Sequence, residues 1–303
     1  MKTREQAMVP AVDVRTYYDR PVLKKPVWKW YIPAYFFTGG LAGASSTLAF
    51  AARLARRPGL ARRARLLSLV AIALSPVFLI VDLGRPERFY NMLRVAKPTS
   101  PMSMGTWLIS VFGPASGGAA VSDLTGLFPG LGLLCEAIAA LLGPAVATYT
   151  AVLTSDTAIP AWHDAWRELP MVFAGGSAAS AGAAAVLFTP AAEAGPARRL
   201  VVLGAAVEAA AVRTMETNLG DVGRPYRTGA ASRPATAAKV LLAAGAGLVA
   251  GGGRRPAVAR IGAAMALTGV ALTRWSVFQA GFDSAAAPAD TIGPQRARLD
   301  ASS

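Results

Sequence analysis

Two residue types are nearly missing from these 303 residues: there is one cysteine, Cys135, and one histidine, His163. A lone cysteine forms no internal disulfide and holds no iron–sulfur cluster, which needs several thiolates. A transmembrane b-type haem normally takes two axial ligands, usually a His pair, so a single His removes that option too. The sequence therefore predicts no haem, iron–sulfur cluster or other metal cofactor carried by this chain. Charge is also scarce, at 16%, where a soluble domain carries nearer a quarter. Acidic residues are the rarer sign, 17 against 31 Lys and Arg, for a formal net charge of +14. The basic residues sit between apolar stretches, so lipid head groups account for them better than nucleic acid does.

What the chain has in quantity is apolar length, with 53% hydrophobic residues and a mean hydropathy of +0.41. Tyr31 to Ala52 carries no charge over about the twenty residues that cross a bilayer. Similar blocks follow at about 64–81, 102–121, 131–153, 169–190, 200–219, 236–253 and 257–278. Helices apolar on every face are read as membrane helices rather than as an Ala-rich soluble bundle. The count is eight spans; the second and seventh are short, which leaves seven open. Residues 1–30 are polar, with Pro and several Lys and Arg, and read as an arm rather than a cleavable signal peptide. Residues 282–303 read as a loosely structured polar tail.

The two halves of the chain match. Phe37–Phe50 resembles Phe173–Phe188, with Gly39–Gly40 and Gly175–Gly176 lying 136 positions apart. Arg62–Arg63 and Arg198–Arg199 open the next spans at the same offset, and Asp82 and Asp221 begin two Asp-x-Gly-Arg-Pro stretches 139 apart. The expected architecture is all-α, with eight transmembrane helices as two tandem four-helix bundles, 31–153 and 169–281, joined by a loop at 154–168. Four spans per half is even, so both halves enter from one side and the repeat is parallel, not inverted. The repeated stretch reads as a helix stop: Gly takes the left-handed conformation, Pro bars continuation and Arg complements the dipole. Asp does not belong at a helix C-terminus, and the neighbouring Arg is its expected partner.

Sorting by depth puts a polar layer near the face shared by the termini. Tyr31 and Tyr35 start the first span, Asp82 and Arg85 follow the second, and Ser103 and Trp107 start the third. Tyr149 ends the fourth, Glu216, Asn218, Asp221 and Arg224 end the sixth, and Arg274 ends the eighth. Glu136 lies towards the opposite face, and Glu208 near mid-depth with Arg213 between it and the layer. Ionisable residues inside spans usually face the bundle interior or a water-filled path. Glu136 and Glu208 are therefore either steps in a proton path or members of interhelical pairs. Glu208 and Arg213, five apart, are poorly placed for each other, so each expects a partner on another helix. Trp28, Trp30 and Tyr31 read as interfacial belt; Tyr35 and Tyr149 lie deeper and are site candidates. His163 reads as a surface residue.

Three stretches resemble the NrfD-like family, the membrane subunits of polysulfide reductase: "WYIPAYFFTGGLAG" (Trp30–Gly43), "DLGRPERFYNMLRVAKPTSPMSMGTW" (Asp82–Trp107) and "RWSVFQAG" (Arg274–Gly281). The middle one is the most specific. The resemblance implies an eight-helix membrane anchor in a bacterial cell membrane that exchanges electrons with menaquinone or ubiquinone. Its implied partners are a ferredoxin-like iron–sulfur subunit and, beyond it, a molybdopterin oxidoreductase catalytic subunit; it implies no haem. The family's quinone-site region falls on Tyr35, Asp82 and Tyr149, with Arg85 and Trp107 beside it and Arg274 a further polar candidate. Some relatives carry a His where Tyr35 stands. A phenol titrates near pH 10, so proton transfer here would need a neighbour such as Asp82. Glu136, Glu208, Arg213, Glu216, Asp221 and Arg274 form the candidate proton path or polar layer.

The competing reading is a transporter, which repeated halves and intramembrane Glu208 and Arg213 would suit. It looks for an unwound helix at mid-membrane, near Pro76, Pro114 or Pro144. Arg53, Arg56, Arg57, Arg62, Arg63 and Arg65, with Arg198, Arg199, Arg254, Arg255 and Arg260, favour the odd connections in the cytoplasm and the termini outside. Lys2, Arg4, Arg15, Arg20, Lys24, Lys25 and Lys29 pull the other way.

Overall fold

The computed structural model describes residues 22–83 and 85–293. The expected arm before residue 22, Gly84 and the tail from residue 294 lie outside the described residues. The described chain is all-helical, with no strand. In order its helices are α1 (Tyr31–Leu54), α2 (Pro58–Asp82), α3 (Pro101–Thr125), α4 (Pro129–Ser155), α5 (Pro160–His163), α6 (Leu169–Phe188), α7 (Gly195–Asn218), α8 (Arg224–Arg227), α9 (Ser232–Gly251) and α10 (Pro256–Ala286). Single 3-10 segments lie at Pro86–Leu93 and Gly252–Arg254.

Each of the eight apolar blocks is one long helix. The short second block lengthens at its N-terminal end to Pro58, because Pro suits a first helical turn. Among the described residues α2, α4, α6, α9 and α10 are long and apolar enough to cross a membrane. The protein is thus a membrane protein with several apolar helices. The other three long helices are diluted by Gly, Ser and Thr in α1 and α3, and by Arg and Glu in α7. α2, α3 and α4 run on through Pro76, Pro114 and Pro144 without unwinding.

α1 packs along α2 and α4, α3 along α4, and α2 more lightly on α3. In the second half α6 packs along α7 and α10, α9 along α10, and α7 more lightly on α9. α6 also meets α1 and α4 across the middle. Lipid gives helices no hydrophobic reason to associate, so close van der Waals fit must hold them. Gly43 of α1 and Gly143 of α4 approach until a β-carbon on either would overlap the other's carbonyl oxygen. Beside them Ser46 and Thr47 donate to the carbonyls of Ala139 and Ala140 at 3.0 and 3.2 Å.

Residues 154–168, read from the sequence as a connecting loop, form an ordered plug around α5. Trp162 is fully buried, and its Nε1 donates to the Val277 carbonyl at 2.6 Å. Its indole occupies the space a side chain at Gly281 would fill, and stacks on Trp28 at 5.4 Å. That stack draws Trp28 inward from the interfacial belt assigned to it, whereas Trp30 remains 54% exposed. Trp162→Ala should cost about 3–5 kcal/mol, measured as a lower melting temperature in detergent. His163 is exposed, as expected. The tail departs from expectation: α10 continues past Gly281 to Ala286, and residues 288–293 are helical. Ser284 anchors it by accepting from the Ala161 N–H at 3.3 Å.

The two Asp-x-Gly-Arg-Pro stretches are helix stops with corrected details. α2 ends on Asp82, and Pro86 and Pro225 each sit in the first turn of the segment that follows. Gly223 has φ −76°, so it is not left-handed; the left-handed residue after α7 is Gly220, at φ +51°. The Asp–Arg pairs do not form. Asp82 Oδ1 accepts from the backbone N–H of Lys29 at 3.0 Å, Arg85 is exposed, and Arg224 pairs with Asp290 rather than Asp221. Leu83 is extended (ψ 135°), which leads the chain away from the α2 terminus, while an N–H just ahead of α1 offers the carboxylate a fixed donor.

Candidate functional site

Tyr35 lies one turn into α1, and the regular helix carries its ring inward against α4. The residue is 1% exposed, and its hydroxyl has no hydrogen-bond partner within the protein. Its ring meets Tyr149 edge to face, with centroids 6.2 Å apart. Tyr149 in turn packs against Gly105 of α3, where a β-carbon would overlap the ring, 2.8 Å from Cδ2. Gly105 of the Gly-x-Trp signature is therefore glycine to admit Tyr149, a role the sequence does not reveal. Thr150, adjacent in α4, is also buried with an unpartnered hydroxyl.

The other three residues assigned to the quinone region stand nearer the surface. Asp82 is half-buried and tied to Lys29, while Arg85 is exposed. Trp107 is 39% exposed, its Nε1 3.5 Å from the Val95 carbonyl. Of the five, the structure brings Tyr35 and Tyr149 into contact. The unpartnered Tyr35 hydroxyl is a donor that a ring oxygen would satisfy.

Deeper in the second half, Glu208 and Arg274 are both buried and face each other across the bare backbone of Gly176. Thr273 donates to Glu208 Oε1 at 2.6 Å. Arg274 donates through Nη2 to the Phe173 carbonyl at 2.9 Å, and its guanidinium sits 3.8 Å over the Phe173 ring. Glu208 Oε2 and Arg274 Nε and Nη1 have no hydrogen-bond partner in the protein. The expected off-helix partner of Glu208 is thus the Thr273–Arg274 pair of α10. Phe173 also packs on Phe36, the neighbour of Tyr35, at 5.7 Å, which links the two polar groups through aromatic contacts.

Glu136 belongs to a separate cluster at the opposite end of the first four long helices. Arg65 Nη2 reaches Glu136 Oε1 at 2.7 Å, Arg65 Nη1 reaches Asp123 at 2.6 Å, and Arg53 Nε reaches Glu136 Oε2 at 2.5 Å. Four helices contribute, and the interhelical-pair reading of Glu136 describes this geometry. Sequence reasoning missed Arg65 and Asp123 because both read as charges at the ends of apolar blocks. Arg213 is exposed, Glu216 pairs with Lys239 at 2.5 Å, and Asp221 is exposed.

A comparison with curated proteins gives no match. A family match covers the first two signature stretches, and the ending Arg274–Gly281 lies outside it. Residues 21–115, running from the segment before α1 into α3, match the family model of NrfD, polysulphide reductase.

Proposed function

We propose that the protein is the membrane subunit of a quinone-linked oxidoreductase in a bacterial cell membrane. It exchanges electrons between membrane quinone or quinol and a docked ferredoxin-like iron–sulfur subunit, which serves a molybdopterin-type catalytic subunit. The eight long helices are then eight spans in two parallel four-helix halves, a reading supported by the order in which they pair: α1, α2, α3 and α4 contact one another as α6, α7, α9 and α10 do. The observation that carries the proposal is Tyr35: a buried hydroxyl without a protein partner, against Tyr149, inside the stretch that matches the family.

Oxidation of a quinol releases two electrons and two protons. Tyr35 donates a hydrogen bond to one ring oxygen and orients it, and Tyr149 walls the ring. Asp82, ending α2 within the matched stretch, is the carboxylate that would hold a proton a phenol near pH 10 would not take. Glu208 and Arg274 lie further along the interior as polar groups a proton could reach.

Purification of the tagged subunit in mild detergent should bring an iron–sulfur protein, a molybdopterin enzyme and extractable quinone. Isolation of the subunit with none of these would favour the transporter. In the assembled complex Tyr35→Phe should raise the KM for a soluble quinol about tenfold, the value of one lost hydrogen bond, with helix content unchanged. Asp82→Asn keeps an oxygen for the Lys29 N–H and removes only the charge. Its kcat should fall about a hundredfold, as for loss of a general base; an unchanged rate and quinone affinity would take Asp82 out of the site.

A further inference from the structure

A cleft of about 610 Å³ runs between α7, α9 and α10; none of the residues assigned above to quinone binding lines it, while Glu208, Arg213 and Glu216 of the polar layer do. It exists because α7 and α9 touch only lightly, leaving a seam that small residues such as Ala206 and Ala243 do not fill. Its body is apolar, walled by residues such as Val202, Leu242 and Ala246. Its mouth, towards the C-terminal end of α7 and the start of α9, carries Arg213, Glu216 and Lys239. From Arg213 to Val202 along α7 is about 16 Å at the helical rise, close to one leaflet of a ~30 Å hydrocarbon core.

All but one of the uncharged and acidic groups along the body are committed: Thr273 donates to Glu208 Oε1, Ser276 to the Ala231 carbonyl and Tyr226 to the Ala161 carbonyl. The exception, Glu208 Oε2, has no partner and lies against Gly176 on α6. The body therefore suits a hydrocarbon chain rather than a ring that needs hydrogen bonds. At the mouth Lys239 is paired with Glu216, while Arg213 forms no ion pair among the described residues, which leaves one net positive charge. We propose that this cleft binds one anionic phospholipid, with an acyl chain along the α7–α9 seam and the phosphate at Arg213 and Lys239. The inference rests on the membrane placement of α7 and α9, not on quinone chemistry.

The test exposes the full-length protein in detergent to dioleoyl phosphatidylglycerol or dioleoyl phosphatidylcholine and counts retained lipid by native mass spectrometry. Phosphatidylglycerol should be held about fivefold better, the scale of one net charge near a membrane surface. The pair Arg213→Gln with Lys239→Gln should abolish that preference while the chain contact persists. Ala243→Phe should fill the seam and lose both lipids, with the melting temperature verifying that the variant is folded; Ala206→Leu replaces it if it is not. Equal retention of the two lipids by the unaltered protein would overturn the proposal. So would a preference that survives the double substitution, or a seam-filling variant that sheds quinone while keeping phospholipid.

Discussion

Arg65→Ala is expected to leave little folded protein in the membrane. Arg65 is 4% exposed and answers two carboxylates on two other helices, Glu136 of α4 and Asp123 of α3. Without it Glu136 keeps only Arg53, whose side chain is 43% exposed, and Asp123 keeps Arg62 at 3.7 Å. Breaking a buried pair from one side costs about 3–5 kcal/mol, because the stranded charge remains out of water. Membrane abundance and the melting temperature of purified protein should both fall sharply. Combining Arg65→Met with Glu136→Gln and Asp123→Asn should restore much of the loss, since no buried charge is then left alone. An Arg65→Ala variant that melts with the parent would mean that these charges do not hold the helices together.

The second large effect is on activity. Gly105→Leu places a side chain where the Tyr149 ring now lies, and Tyr149 must leave its contact with Tyr35. If the tyrosine pair positions a quinol, turnover should fall about a hundredfold, the usual result of a displacement near 1 Å at a reacting site. Helix content should change little, because the rest of α3 keeps its packing. A double-mutant cycle separates the mechanism: on a Tyr149→Ala background, Gly105→Leu should cost almost nothing further. Full turnover by Gly105→Leu would detach Tyr149 from the site.

The long helices were legible because each coincides with an apolar block, which in α2, α4, α6, α9 and α10 is long and apolar enough to cross a membrane, and that is a local property of the sequence. Position along each helix was legible as well: helical rise alone places Tyr35 one turn into α1 and Glu136 towards the start of α4. The partners were not. Asp82 was read with Arg85 because they are neighbours in sequence, yet it binds the Lys29 N–H, 53 residues away. Arg65 read as a loop cation, although α2 begins seven residues earlier and carries it inward.

The sequence by itself determined the membrane class and the eight long helices with the polar residues set at their ends, because apolar length and helix-stop residues are local features of composition. It also holds the stretch, residues 21–115, that matches the NrfD family model. Tertiary structure alone decided that Gly105 makes room for Tyr149, that Glu208 turns to Thr273 and Arg274 across Gly176, and that Trp162 closes one end against Gly281. Those outcomes depend on which helix faces meet and how closely. Small residues permit many close approaches, and only the assembled bundle selects among them.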